Sequence, residues 1–342
     1  MITDVVALTI SPTGSYRELS DRIHAAGLMA PRADYYAGKI AANLALAAGC
    51  WTAFFLVGDS WWQLLVAVAL GFSFVQSGFL GHDVGHRQVT SARGSRYVLG
   101  LVHMNLLIGA AYGWWVNHHN RHHSDPNNLD RDPDTLRRQV IFDVDELPAK
   151  GRTAFRRLVI RFQSVLFFVL LVQEAWRVHA AGFQTARAGA LRNARLELSL
   201  VVLHAVLVLT AAFTVLSFWL AVAFVVVGQT VFGFYLGAVF APNHKGMPVY
   251  RSSVELDWLH RQVLTSRNIR PGRVTDFFFG GLNYQIEHHL FPSMPRANLR
   301  HARPIVREYC AAHGIPYLEV SMMASYRAVA RYLGEVSEAA RS

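Results

Sequence analysis

Long apolar stretches, separated by polar segments of very different length, dominate the pattern of residues along the chain. Four of them reach the roughly 20 apolar residues that a helix needs to cross a bilayer. They lie at about 38–57, 61–80, 196–216 and 218–240, and two weaker candidates lie at 98–115 and 156–176. The pattern predicts an all-α integral membrane protein with four transmembrane helices in two hairpins.

The distribution of positive charge predicts the orientation of these spans. No Lys or Arg occurs between Lys39 and Arg87, or between Arg195 and Lys245. The links at 58–60 and near Ser217 therefore carry no positive charge, whereas the other polar segments are rich in Arg. The positive-inside rule makes the Arg-rich side cytoplasmic, so both termini are expected there.

Three clusters of histidine lie beside the apolar stretches. They read His82-Asp-Val-Gly-His86, His119-Asn-Arg-His122-His123 and Gln285-Ile-Glu-His288-His289. Offsets of three and four residues place side chains on one face of a helix, so each cluster can direct several imidazoles at one point. Imidazole is a good ligand for iron, zinc, copper and nickel. Seven histidines and a glutamine are too many for one tetrahedral ion, so the clusters predict two metals.

His244 is a further candidate ligand. It directly follows the fourth span, as His82 follows the second. A lone histidine at a membrane boundary is usually a headgroup or capping contact, and for His244 this interpretation and metal binding are equally open. Gly280-Gly281 precedes the third cluster and allows a tight turn before the last ligand helix.

The number of crossings between the clusters constrains the weaker candidates. If all clusters build one site, an even number of crossings separates each pair. The stretch 98–115 must then lie on the surface or re-enter. The stretch 156–176, which Arg156, Arg161 and Glu174 interrupt, is predicted to be an amphipathic interfacial helix. The expected architecture is two hairpins under a cytoplasmic helical cap that holds the metals.

Residues near the clusters have less specific roles. We expect His118 to be solvent-facing or a neighbour of a ligand, and we expect His103, His204, His260 and His301 to be structural. His204 lies inside a span, so it needs a hydrogen-bond partner there. Acidic residues that could orient imidazoles are Asp83, Asp125, Asp132, Asp134, Asp276 and Glu287, although the run 125–134 is as well explained as a solvated loop. Trp114 and Trp115 are candidates for the interface or for an acyl tunnel, as are Phe277–Phe279.

Composition agrees with a membrane protein. Charged residues make up 16% of the chain, below the roughly 25% of ordinary soluble domains. The net charge of +10 is scattered and no nucleic-acid module is visible, so anionic headgroups are the simpler partner and no nucleic acid is expected. Nearly all positive charge is Arg, which is typical of a GC-rich genome, and we expect the protein in a bacterial cytoplasmic membrane. Residues 1–36 contain no apolar segment of a signal peptide, and a disulfide between Cys50 and Cys310 is not expected.

The chain resembles the membrane fatty acid desaturase family over roughly residues 35–318. The resemblance rests on the three clusters and on their surroundings, which are Trp114-Trp115-Val-Asn-His-His119, Ala241-Pro-Asn-His244 and Asn283-Tyr-Gln285-Ile-Glu-His288-His289-Leu-Phe-Pro-Ser-Met-Pro-Arg296. Glutamine at the head of the third cluster is similar to the front-end and acyl-lipid subgroup. The resemblance implies a cytoplasmic segment at 1–36, a desaturase domain at 37–318 and a cytoplasmic tail at 319–342.

The resemblance also implies a cofactor and partners. Family members carry two iron ions, cycling between Fe2+ and Fe3+, with O2 as co-substrate and a long-chain acyl-CoA or acyl-lipid as substrate. The implied ligands are His82, His86, His119, His122, His123, His244, His288 and His289, with Gln285 last because an amide oxygen is a weaker donor. The chain holds no His-Pro-Gly-Gly haem motif, so a separate ferredoxin, flavin reductase or cytochrome b5-type protein is expected to supply electrons.

Two alternative functions stay open at this point. A lipid hydroxylase or ketolase would use the same iron site. A non-enzymatic metal transporter would need polar residues along a path through its spans, whereas these spans contain almost none apart from Glu197 and His204.

Overall fold

The computed structural model describes residues 14–136, 139–151 and 153–341, so residues 1–13 of the expected N-terminal segment lie outside it. The described residues are mostly helical. One short parallel pair of strands, β1 (Asn268–Ile269) and β2 (Glu319–Val320), is the exception to the predicted all-α class. The chain divides into two compact units, the first formed by Met1–Ala30, His118–Val169 and Ala238–Ser342, and the second by Pro31–Asn117 and Leu170–Gly237.

The described residues form sixteen α-helices and three short turns of other helix types. In chain order the α-helices are α1 (Tyr16–Ala25), α2 (Ala33–Val57), α3 (Gln63–Gly85), α4 (Arg93–Gly100), α5 (Tyr112–Ser124), α6 (Leu147–Lys150), α7 (Ala154–Arg161), α8 (Gln163–Leu170), α9 (Glu174–Arg187), α10 (Ala194–Val215), α11 (Phe218–His244), α12 (Trp258–Leu264), α13 (Arg273–Phe278), α14 (Gln285–Leu290), α15 (Arg296–Ala312) and α16 (Met322–Ala339). A π-helical segment spans Leu101–Leu106, and 3-10 turns span Val144–Glu146 and Leu171–Gln173.

The second unit contains the two predicted hairpins. Helices α2 and α3 are joined through Gly58, whose φ of 61° favours glycine, and α10 and α11 are joined at Ser217. The Asp59 carboxylate accepts a hydrogen bond of 2.8 Å from the Ser217 backbone N–H. The two turns without positive charge therefore lie together at one end of this unit.

Among the residues that the structure describes, five helical stretches are long and apolar enough to cross a membrane, one more than the sequence pattern predicted. Four correspond to the expected spans, and the fifth is Gln163–Arg187. The sequence placed one interfacial helix at 156–176, whereas α7 ends at Arg161 and the apolar stretch begins at Gln163 and passes through the 3-10 turn. The stretch 98–115 is not one continuous α-helix, because it breaks after Leu106. The four-span topology stays a prediction.

The first unit is built around an apolar core beneath α14. Leu19 and Ile23 of α1 meet Ile286 and Leu290 of α14 in this cluster, together with residues of α12 and α15. Within the segment predicted to be the C-terminal tail, the described residues form β2 and α16, which belong to this unit. Val336 of α16 packs with Ile141 and Ile160, and the Gln163 amide donates to the Leu333 carbonyl.

Helices of the second unit approach closely where glycine replaces a side chain. A Cβ atom added at Gly71 of α3 would lie 2.6 Å from the Gly228 carbonyl oxygen of α11. A Cβ atom at Gly233 of α11 would lie 2.6 Å from the Val172 carbonyl oxygen. Small residues at helix interfaces let backbones pack against each other, which stabilises helix association within a bilayer.

We predict that Gly71→Ala destabilises the protein, because the added methyl group meets backbone atoms that cannot rotate away. The expected loss is about 1–3 kcal/mol, the usual cost of overpacking. Thermal unfolding in detergent would measure it against Gly49→Ala on α2, where a Cβ atom meets nothing within 4 Å. Equal unfolding temperatures for the two variants would contradict the close approach of α3 and α11.

Candidate metal centre

The second unit carries the first histidine cluster at the end of α3. His82 and His86 are buried, and their ring centroids lie 4.7 Å apart. One Asp83 oxygen lies 3.1 Å from Nδ1 of His82. A carboxylate in this position accepts a hydrogen bond from Nδ1–H, which leaves Nε2 as the ligand atom of the ring.

Trp115 packs against both imidazoles of the first cluster. Its ring centroid lies 5.6 Å from that of His82 and 6.3 Å from that of His86, at steep interplanar angles. Gly85 makes this approach possible, since a Cβ atom there would lie 2.6 Å from the Trp115 ring. Trp114 instead packs in an apolar cluster with residues such as Ala111 and Val201, which is the packing of an ordinary core residue.

The first unit brings three further histidines together. His122 lies on α5, His244 ends α11 and His289 lies on α14, and all three are buried. Each offers one ring nitrogen, and these atoms lie within 4.8 Å of one another. Nε2 of His122 and Nε2 of His244 are 3.3 Å apart.

Buried acceptors determine which nitrogen of each of these rings faces inward. Nδ1 of His122 lies 3.1 Å from both Asp132 oxygens, and Nδ1 of His244 lies 3.0 Å from the Thr265 carbonyl. Nδ1 of His289 lies 2.8 Å from the Gln262 side-chain oxygen. The amide of Gln262 is oriented because its nitrogen donates to the His123 carbonyl at 2.9 Å. Nδ1 is therefore the donor in each ring.

The orientation of these three imidazoles is chemically suited to binding a metal ion. With Nδ1 protonated, Nε2 of His122 and Nε2 of His244 are both acceptors, so neither can donate across the 3.3 Å between them. In the neutral rings the two lone pairs converge, and a cation bound by both nitrogens would relieve their repulsion, although Nε2 of His244 also has the Gln285 amide nitrogen 2.9 Å away. Carboxylate, carbonyl and amide oxygens behind the rings are the usual supports of metal-binding histidines.

A second group of histidines lies beside the first within the same unit. Nε2 of His119 and Nε2 of His123 are 3.1 Å apart, and a ring nitrogen of His288 lies within 4.8 Å of them. His123 stacks on His289 with 4.1 Å between ring centroids. The predicted second and third clusters and His244 are thus adjacent, as two groups of three imidazoles each.

Gln285 lies next to His244, but its oxygen is already engaged. The Asn243 amide nitrogen is oriented by the carbonyls of Val239 and Leu282, and it donates to the Gln285 oxygen at 3.2 Å. The Gln285 nitrogen consequently faces Nε2 of His244 at 2.9 Å. With its oxygen hydrogen-bonded to Asn243, Gln285 is less suited to bind a metal ion than the histidines are.

The turn before α14 and a buried acid hold the third cluster. Gly280 and Gly281 have φ values of 57° and 83°, which is the tight turn that the sequence suggested. Glu287 faces away from the imidazoles and accepts from Asn268 at 2.7 Å and from Tyr317 at 2.8 Å. Burial raises the pKa of Glu287 to about 7, against the opposing effect of these hydrogen bonds. Glu287 therefore anchors α14 to its surroundings.

The other candidate neighbours have separate partners. Asp134 lies 3.2 Å from Nε2 of His118, whereas Asp125 pairs with Arg131 and Arg261. Asp276 accepts from Asn283 and Tyr284, the two residues before Gln285. Within its span, His204 donates to the Leu106 carbonyl at 2.9 Å, so it has the partner that its position requires.

Arg267 is a buried residue that the sequence did not single out. Its side chain is 1% exposed, and its Nε donates to the Pro242 carbonyl at 2.6 Å while a terminal nitrogen donates to the Lys245 carbonyl. Burial lowers its pKa to about 10, so the guanidinium stays charged at neutral pH. A cation at the carbonyl end of a helix is stabilised by the helix dipole. Arg267 thus caps α11 beside His244.

We predict that Asp132→Asn lowers metal affinity by about 10- to 100-fold, which is the usual effect of losing the hydrogen-bond acceptor that orients a metal-binding histidine. The amide is a weaker acceptor for the His122 N–H and no longer balances the charge of a bound cation. Anaerobic titration with Fe2+ would measure the change. Asp130→Asn is the matched control, since Asp130 bonds Arg251 and Ser252 instead of a histidine. Equal affinities in the two variants would contradict the role of Asp132.

Comparison with known proteins agrees with this geometry. The family model described as fatty acid desaturase matches residues 59–321. The chain is 33% identical to the Acyl-lipid (9-3)-desaturase of Physcomitrium patens over 320 residues, covering 90% of this chain and 59% of that protein. It is 29% identical to a Delta(6)-fatty-acid desaturase of Caenorhabditis elegans, covering 89% and 70% of the two chains. It is 33% identical to Delta(8)-fatty-acid desaturase 2 of Arabidopsis thaliana, covering 76% and 61%.

The matched residues include all three histidine clusters and His244, as the resemblance in the sequence suggested. The chain spans 59% and 61% of the length of the moss and Arabidopsis proteins. The match covers most of the chain, and the chain belongs to the fatty acid desaturase family.

Proposed function

We propose that the protein is an O2-dependent desaturase that introduces a cis double bond into a long acyl chain, carried as acyl-CoA or acyl-lipid. The observation that supports this most strongly is the convergence of ring nitrogens from His122, His244 and His289, each ring oriented by a buried acceptor. The relatives named above are themselves desaturases of fatty acids or acyl lipids. Desaturation is therefore preferred to hydroxylation or ketone formation.

We assign the seven histidines of the clusters, together with His244, as ligands of two iron ions. Six of them lie together in the first unit. The assignment of His82 and His86 to the same centre rests on the family motif, and Gln285 remains the least secure ligand because its oxygen accepts from Asn243. The bound irons would supply the O2 activation and electron transfer that unreactive methylene groups require.

The chain's own residues supply orientation and exclusion of water. Asp132, Thr265 and Gln262 accept hydrogen bonds from the Nδ1–H groups, so the imidazoles are oriented before a metal ion binds. His288 and His289 are 0% exposed, which keeps bulk water from the centre. In the proposed reaction two hydrogens leave the acyl chain, and O2, two electrons and two protons complete the formation of two waters.

We propose an electron donor of the ferredoxin, flavin reductase or cytochrome b5 type, because the reduction of O2 to two waters takes two electrons that the acyl chain does not supply. We further propose a multi-pass protein of a bacterial cytoplasmic membrane, with four spans and with the site and both termini on the cytoplasmic side. The distribution of Lys and Arg supports this orientation.

Metal transport is disfavoured by the polar residues of α10. Glu197 accepts from the Gly113 backbone N–H, and His204 donates to the Leu106 carbonyl. Both side chains are engaged with protein backbone and do not line a path for an ion.

The test is product analysis with defined acyl substrates. We predict that membranes containing the protein and a reductase convert saturated or monounsaturated chains into products with one additional double bond, located by mass spectrometry. His122→Ala should lower product formation to background while the protein still folds. His301→Ala, an exposed histidine on α15, is the matched control and should keep full activity. Hydroxylated products, or full activity in His122→Ala, would contradict the proposal.

A further inference from the structure

A break in the helical backbone precedes ligand helix α5. The π-helical segment ends at Leu106, and α5 begins at Tyr112. Between them Gly109 has a φ of 69°, a conformation that favours glycine. The backbone groups around such a break lose their helical partners, and in apolar surroundings each must find another.

Helix α10 supplies two of those partners from one face. Glu197 and His204 lie seven residues apart with Val201 between them, and all three are buried. The Glu197 carboxylate accepts from the Gly113 backbone N–H at 2.8 Å, at the start of α5. His204 Nδ1 lies 2.9 Å from the Leu106 carbonyl, at the end of the π-helical segment. One helix face therefore holds both ends of the break.

Two further side chains complete this contact. The Asn105 side-chain oxygen accepts from the Tyr112 backbone N–H at 3.1 Å, and its nitrogen donates to the Glu197 backbone carbonyl at 3.2 Å. His179 of α9 lies with Nδ1 2.9 Å from the Gly109 carbonyl. Tyr112 and Gly113 thus have their N–H groups satisfied by side chains, which is how a helix begins without water.

The packing around Glu197 leaves little freedom for α5. A Cβ atom added at Gly113 would lie 2.7 Å from a Glu197 carboxylate oxygen. The first turn of α5 therefore rests directly on the carboxylate. An acid buried in an apolar span is costly unless it is well bonded, and the positive end of a helix dipole is a favourable place for it.

We propose that Glu197 is the positioning residue of α5. The helix carries His119, His122 and His123, and the first of these lies six residues after Gly113, roughly 9 Å along the axis. By fixing the first turn, Glu197 sets the axial position and rotation of the helix, and hence the direction of the three imidazoles. The role rests on the proposed function only in taking these histidines as iron ligands.

The test compares Glu197→Ala with Glu197→Gln in the full chain. The alanine variant should bind Fe2+ about 10-fold or more weakly in anaerobic titration, as expected when ligand support is lost. Hydrogen exchange at the backbone amides of 112–117 should rise by a similar factor. The glutamine variant keeps an oxygen that accepts from the Gly113 N–H, so it should restore most of both properties.

Val202→Ala is the matched control, because Val202 lies on the same helix, is 42% exposed and points to another face of α10 than Glu197. It should leave Fe2+ affinity and exchange at 112–117 unchanged. If Glu197→Ala fails to fold, Asn105→Ala removes the acceptor of the Tyr112 N–H and should give the same local result.

Two outcomes would overturn the positioning role. One is wild-type Fe2+ affinity and exchange in Glu197→Ala, and the other is a glutamine variant as impaired as the alanine variant. Failure of the proposed function has a different signature, namely wild-type protein that forms no desaturated product. Exchange at 112–117 reports on Glu197 in either case.

Discussion

The orientation of buried imidazoles is the constraint on which the rest of the structure depends. A histidine can bind a metal only through a nitrogen without a proton, so each ring needs an acceptor behind it. Asp132, Thr265 and Gln262 provide these acceptors for three rings of the first unit, and Asp83 provides one for His82 in the second. Gln262 lies on α12 and Thr265 directly follows it, whereas Asp132 follows α5, so segments that are far apart in the chain supply the acceptors of the first unit.

The ligand helices are also fixed at their ends by buried charged side chains. In the first unit Arg267 binds the carbonyls that end α11, directly beside His244. In the second unit Glu197 binds an N–H group that starts α5, ahead of the second cluster. Each charge has the sign that its end of the helix dipole favours. Rigid helix ends limit the ways in which the imidazoles can move, which a centre for selective chemistry requires.

The sequence predicted those features that local spacing and hydropathy determine. Histidines at offsets of three and four residues, long apolar runs and paired glycines each predict a structure from neighbours in the chain. Long-range partners could not be predicted in this way. Nothing in the run 125–134 distinguishes Asp132, which holds His122, from Asp125, which pairs with arginines. In the sequence, Arg267 is indistinguishable from the other arginines of the basic segments. Its burial depends on carbonyl groups at the end of α11, 22 residues earlier.

Gln285 is a further residue whose long-range contact could not be predicted from the sequence, even though it belongs to a recognised motif. Its place at the head of the third cluster predicts a ligand, but whether its oxygen is available depends on Asn243, which belongs to another helix. The break between 156 and 176 depends likewise on packing, since α7 ends at Arg161 and the 3-10 turn contacts Gly233 and Gly237 of α11. Patterns of single segments do not contain these contacts.

Metal analysis of the purified full-length protein tests the account most directly. Elemental analysis by mass spectrometry combined with Mössbauer spectroscopy would identify the metal, its amount and its surroundings. We expect about two tightly held irons per chain in nitrogen-rich sites. Exchangeable zinc, or a single metal ion per chain, would contradict the assignment of a two-iron centre.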